Sequence, residues 1–186
     1  MAQRWIAFLR GINLASRNRV AMADLRRVFE DAGCREVRTY INSGNVVFTK
    51  QAKDRKRLAR TLERSVEAEL GVAPAVILRT PAELRRILEA HPFGDDTSKT
   101  HVSFLAAKPP AQAVAEAKKA DVAPDRLEVR GAEVFLHLPN GRQGMRIKSS
   151  LLAPLGVATD RTWRTVEKLA ELVVTADEVR ASRRKA

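Results

Sequence analysis

The sequence predicts an α+β fold in which an N-terminal ferredoxin-like βαββαβ subdomain packs with a smaller C-terminal α+β subdomain. Three observations carry this. Short runs rich in Val, Ile and Phe alternate with longer segments of helical period, two of the runs flank a turn containing Gly44, and Gly, Pro, Asn or Asp punctuates the joins. At 186 residues the chain is long enough for one sizeable core or two small ones sharing an interface.

In the first half, Trp5 to Leu9 reads as a strand that enters a polar loop from Arg10 to Val20. Met22, Leu25, Val28, Phe29 and Ala32 recur at helical spacing, with Gly33 placed as a C-terminal cap. Val37 to Ile41 and Val46 to Thr49 form a hairpin around Asn42-Ser43-Gly44-Asn45. From Lys53 to Leu70, Leu58, Leu62, Val66 and Leu70 make one helical stripe ended by Gly71, and Pro74 to Arg79 supplies a fourth strand. Both helices then lie on one sheet face, and the opposite face needs a cover or a partner.

Pro81 opens a short helix through Leu84, Ile87 and Leu88 that stops at His91-Pro92. The division between subdomains, 1–92 and 93–186, falls in the polar stretch that follows. His101 to Ala106 reads as a strand, Pro110 to Ala120 as a helix, and Leu127 to Arg130 with Val134 to Leu138 as a hairpin turning at Gly131-Ala132. Gln143 to Leu152 is read as a helix, and so is the segment carrying Trp163, Val166, Leu169, Ala170 and Val173, with Asp160 or Thr162 as its N-cap. The tail from Asp177 is polar.

Composition excludes several classes. One cysteine, Cys34, rules out an internal disulfide, and the scattered His91, His101 and His137 lack metal-ligand spacing, so neither a metal nor a cofactor is expected. The opening apolar run is too short for a signal peptide or a membrane span, which implies a cytoplasmic protein with no membrane partner. The net charge of +12 favours an anionic small molecule or nucleic acid as partner, although an arginine- and alanine-rich coding bias produces the same charge with no partner at all.

Phosphate-loop, dinucleotide, metalloprotease and nucleophile-elbow motifs are absent. The loop with Arg10, Gly11, Asn13, Arg17, Asn18 and Arg19 leaves a strand and leads to a helix N-terminus, a setting that suits phosphate, while Asn and Gly there also simply make turns. Lys53, Arg57, Arg60 and Arg64 fall opposite the Leu58/Leu62/Val66 stripe as a basic ridge for a nucleic-acid backbone, though any amphipathic surface helix has a charged face. Tyr40 and Phe48 are the only aromatic rings the hairpin offers for base stacking, which argues against an RNA-recognition-motif mode.

Three segments, Phe8-Leu-Arg-Gly-Ile-Asn13, Thr39-Tyr-Ile-Asn-Ser-Gly-Asn-Val-Val-Phe48 and Thr159-Asp-Arg-Thr-Trp-Arg-Thr-Val-Glu-Lys-Leu169, together resemble a bacterial family of unknown function, DUF1697. The resemblance implies a two-part α+β fold with a ferredoxin-like first part, and it implies no activity. This chain departs from the family pattern at Ala15-Ser16, where glycine is common, at Asn42, where glutamine is common, and at Thr162, where asparagine is usual. The matching polar positions point to a shared pocket holding an anionic ligand, a nucleotide or nucleic-acid phosphate, between the subdomains. Arg10 and Arg161 would pair with the anion, Asn13 and Asn45 would orient it, Gly11, Asn18 and Ser43 would line the approach, and Tyr40 or Trp163 would stack on a ring. The alternatives are a cofactor-independent enzyme using Tyr40 and Ser43 in the same cleft, for which no base is evident, and a protein-interaction module docking through the uncovered sheet face or the basic ridge.

Overall fold

The computed structural model describes residues 2–13, 18–94 and 96–173. Arg17, the Ala15-Ser16 step and the tail from Asp177 lie outside them.

The first half contains β1 (Gln3–Arg10), α1 (Met22–Asp31), β2 (Arg35–Tyr40), β3 (Asn45–Lys50), α2 (Arg55–Leu70), β4 (Ala75–Arg79) and α3 (Pro81–Glu89). Its antiparallel sheet has the order β2-β3-β1-β4, the ferredoxin-like arrangement. Helix α2 starts two residues later than its apolar stripe suggests. The Asp54 carboxylate accepts from the Lys56 and Arg57 amides and sets the N-cap there, while Gly71 closes the helix at φ +66°. The α3 start is a capping box in which Thr80 and Glu83 satisfy each other's backbone N–H groups.

The second half contains β5 (Thr100–Leu105), α4 (Ala111–Lys119), β6 (Arg126–Arg130), β7 (Glu133–His137), α5 (Ser149–Leu152), a 3-10 turn (Ala153–Leu155), β8 (Ala158–Thr162) and α6 (Trp163–Val173). Two expectations need correction. The helix read over Gln143 to Leu152 shrinks to the four residues of α5, and of the two N-cap candidates Thr162 stands directly before α6 and accepts from the Thr165 amide at 3.4 Å, whereas Asp160 lies within the strand β8. Its sheet order, β6-β7-β5-β8, repeats the order of the first sheet. The smaller subdomain is therefore a second copy of the βαββαβ topology, with its second helix cut short and, like the first copy, a helix trailing its last strand.

Strand β1 shows how the layers stack. Trp5, Ala7 and Leu9 point into a core shared with α1 and α2, whereas Ile6 and Phe8 point the other way, into a core with Val102 and Phe104 of β5, Phe135 of β7 and the apolar faces of α3 and α6. The two sheets thus pack face to face, with the Phe8 and Phe104 rings stacked at 4.0 Å. A third core lies under α4 and α5. The sheet face that called for a partner is covered by the second half of the same chain, so the docking surface expected there does not exist. Among the described residues no helix is long and apolar enough to cross a membrane.

Candidate functional site

The register reveals how the halves are locked. Arg79 stands opposite Ile6 in the first sheet, and Arg161 stands opposite Val102 in the second. Phe8 and Phe104, each two residues further along, form the central stack. Arg79 donates from Nε to Glu133 and from Nη2 to the carbonyls of Leu105 and Ala132. Arg161 donates from Nε to Asn45 Oδ1 and from Nη2 to the carbonyls of Leu9 and Ser43. Each arginine leaves the last strand of its own copy to clasp the first strand and the hairpin of the other, a reciprocal contact of the kind made across a two-fold axis.

This arrangement brings the three motif segments together, but around a filled centre. Arg161 is buried, and its Nη1 donates to Thr159 Oγ1 and the Asp160 carbonyl, so all five of its N–H groups are taken. Burial lowers its pKa to about 10, with the Asp160 carboxylate opposing that shift. Asn45 is fully buried, accepts from Arg161 and donates to the Tyr40 carbonyl. Asn13 donates to the carbonyls of Val20 and Asn42 and accepts from the Val20 amide, while Asn18 donates to the Gly11 carbonyl. Trp163 is a core residue whose Nε1 donates to Glu167 and whose ring lies 4.5 Å from that of His91.

The polar groups of Arg161, Asn45, Asn13 and Trp163, which the sequence assigns to a ligand, hold the chain to itself in this structure. Arg10 and Asn18 are exposed, Gly11 and Ser43 are half-buried, and the Tyr40 ring packs at the margin of the core between the sheets. Of the basic ridge, Arg57, Arg60 and Arg64 are exposed on α2 as expected, whereas Lys53 precedes the Asp54 cap and is not on the helix.

A cleft between the halves does exist, with other walls. It has a volume of about 710 Å³ and sits over the Arg79 clasp. Its walls are the start of α2, helix α3, the chain following β5 and the β6–β7 hairpin. Six cations line it, Arg55, Lys56, Arg79, Arg86, Lys108 and Arg130, against the carboxylates Asp54, Glu83 and Glu133. All three carboxylates are engaged: Asp54 caps α2, Glu83 binds Arg55 at 2.8 Å and Thr80, and Glu133 binds Arg79 at 2.7 Å. Among the described residues, Lys56 and Lys108 form no ion pair, and Arg86 uses only Nε, toward the Ala82 carbonyl at 3.4 Å. The cleft carries net positive charge with donors to spare. Arg86, Lys108 and Arg130 stand on separate elements with no shared spacing, so local pattern gives no sign of them.

A second polar cluster was also hidden from the sequence. On the opposite face of the second sheet, His101 Nδ1 lies 2.8 Å from Asp160 Oδ2, Ser103 donates to Asp160 Oδ1 at 3.0 Å, and Arg142 pairs with the same carboxylate at 2.5 Å. Trp5, Ala7 and Leu78 occupy the matching positions of the first sheet beneath the long α2. Where the covering helix shrinks to α5, the apolar trio becomes His, Ser and Asp. Among the described residues, no group of three or more His, Cys, Asp or Glu side chains is placed to hold a metal ion.

Comparison with known proteins agrees with this architecture. The conserved bacterial protein SP0830 from Streptococcus pneumoniae, a solved structure, superposes with a TM-score of 0.76 at 22% identity, over 94% of this chain and 100% of that one, which shows a shared fold. No curated protein matches the chain. The family model described as "Protein of unknown function (DUF1697)" matches residues 2–135, and the chain belongs to that family.

Proposed function

We propose that the protein binds a phosphate-bearing anion, a nucleotide or a nucleic-acid phosphate, in the cleft between its two halves. The observation that carries this is the imbalance of the lining: three carboxylates already engaged, and Lys56, Arg86 and Lys108 with unused N–H groups in a cavity of about 710 Å³. That volume is in the range of small-molecule sites. The buried Arg79–Glu133 pair forms a rigid floor, and the Arg55–Glu83 pair a rim that an incoming anion can exchange with. A cytoplasmic setting, where phosphate metabolites and nucleic acids are found, suits this reading.

The test is isothermal titration with pyrophosphate and with ATP. Saturable binding that weakens about tenfold or more in Lys56→Ala/Lys108→Ala, both exposed side chains, is expected. Equal binding by that variant, or no binding by the parent protein, overturns the reading.

A second reading, a cofactor-independent enzyme, is favoured by a different observation. The Asp160 carboxylate holds His101 Nδ1, which leaves Nε2 as the basic nitrogen, the arrangement of a general base. Its reach is the second sheet's outer face and not Tyr40 or Ser43. Loss of a measured turnover in His101→Gln, with ligand binding in the cleft intact, is its signature.

A further inference from the structure

We infer that the anion is a single strand of nucleic acid, held by its backbone, rather than a free nucleotide; this rests on the proposed cleft and specifies its ligand. The cleft does not end at Arg55 and Lys56. A second groove of about 230 Å³ between α2 and the outer edge of β4 shares Arg55, Lys56, Arg79 and Ala106 with it, so the two adjoin along these residues. A channel continuing past the cavity suits a polymer.

The cations follow that channel. Lys56 and Arg60 line the groove, and Arg64 continues their i, i+4 row on α2, all three exposed. Each step of that row rises about 6 Å along the helix, so three charges span about 12 Å before the cleft adds Lys108. Residues 1–93 hold eighteen of the 34 basic side chains but only ten of the 22 acidic ones, so the half that carries α2 has the larger excess.

The edge beside the groove is partly taken, which disfavours the other extended polymer, a peptide strand. On the free edge of β4 the Val76 amide donates to Glu63 at 2.8 Å, and the Leu78 carbonyl accepts from Arg79 at 2.8 Å, so the edge already has partners from its own chain. Base stacking has no platform either. Among the described residues lining the channel, Phe135 is the one aromatic. Binding therefore rests on phosphates, with little sequence preference and a strong dependence on salt.

Fluorescence anisotropy of the full chain with labelled twelve-residue oligo-dT and oligo-U, and with a duplex of the same length, tests this. Four contacts, from Lys56, Arg60, Arg64 and Lys108, predict that raising salt fourfold from about 50 mM weakens single-strand binding about 50-fold. Arg60→Ala/Arg64→Ala should halve the logarithmic salt slope, leaving a loss of about 7-fold, while pyrophosphate binding is unchanged. Preference between dT and U assigns DNA or RNA. If pyrophosphate binds but the oligonucleotides do not, or if the duplex binds more tightly than either single strand, or if Arg60→Ala/Arg64→Ala leaves the slope intact, the inference is wrong and the cleft reading stands. If no anion binds, both fall.

Discussion

Arg79 and Arg161 occupy the same position in the two copies of the fold, and each closes the copy to which it does not belong. The guanidinium of Arg79 lies 5.8 Å from the centre of the Phe104 ring and that of Arg161 lies 5.7 Å from the Phe8 ring, so each charge sits beside the stacked phenylalanine of the other copy. At the hairpin their acceptors differ: Arg79 has the Glu133 carboxylate where Arg161 has the neutral Asn45 amide.

That difference predicts different responses to mutation. Arg161→Ala strips hydrogen bonds from several buried acceptors and should cost at least about 3 kcal/mol in denaturant unfolding. Arg79→Ala leaves Glu133 as an unpaired, largely buried carboxylate as well, and replacing both Arg79 and Glu133 should recover part of the loss. A double variant as unstable as the sum of the single variants would show that the pair is not coupled.

Gly44→Ala should destabilise the protein by about 2–3 kcal/mol. Gly44 has φ +71°, and a Cβ there would sit 2.9 Å from Leu9 Cβ and 2.7 Å from Ile12 Cδ1. Gly71→Ala, at φ +66° with open space around it, carries the backbone cost without the collision and should be milder. Equal losses, compared by thermal unfolding, would mean that the hairpin turn is not tightly packed against the first loop.

Cys34 should resist thiol reagents in the folded protein. Burial pushes its pKa up from 9.0 to about 11 despite the nearby Lys50 ammonium, so little thiolate exists near neutral pH. Because the folded pKa is the higher one, the stability linked to this group is complete below pH 9 and is lost as pH rises toward 11. Fast labelling at pH 8 without denaturant would contradict the buried placement.

The His91 imidazole, partly desolvated beside Trp163, has its pKa lowered from 6.5. The neighbouring His137 and Arg130 charges act in the same direction, and Glu167 acts against them. The unfolded chain then takes up the proton first as pH falls, so His91 should make stability decline from about pH 6.5 downward. His91→Gln should flatten that part of the pH profile, and an unchanged slope would assign it to other groups.

How much was legible depends on whether a residue's role is local. The α2 stripe, the hairpin around Gly44, the Thr80-Pro81 helix start and the glycine caps are set by neighbours within a few positions, and they appear where the spacing puts them. Strand β8, Ala158-Thr159-Asp160-Arg161-Thr162, shows almost no apolar alternation because its inward positions are Thr159 and Arg161, whose partners are at the ends of β1 and β3. Without that alternation, neither the duplication nor the pairing of His101 with Asp160 is visible in the sequence. The polar residues of the first loop were legible as a cluster but not as a closed one, since Asn13 spends its amide on Val20 and Asn42.

By itself, the sequence determined the secondary structure of the first half, the family and the positive charge. The period of apolar side chains, the φ demanded of glycine and the count of ionisable groups are all properties of short stretches or of composition. Only the tertiary structure decided that the second half repeats the first, that two buried arginines join them, and that the unspent cations gather beside Arg79 and not at the motif loops. These depend on which donors find acceptors from segments far away in the chain, and a guanidinium reads the same in sequence whether its five N–H groups meet carbonyls or water.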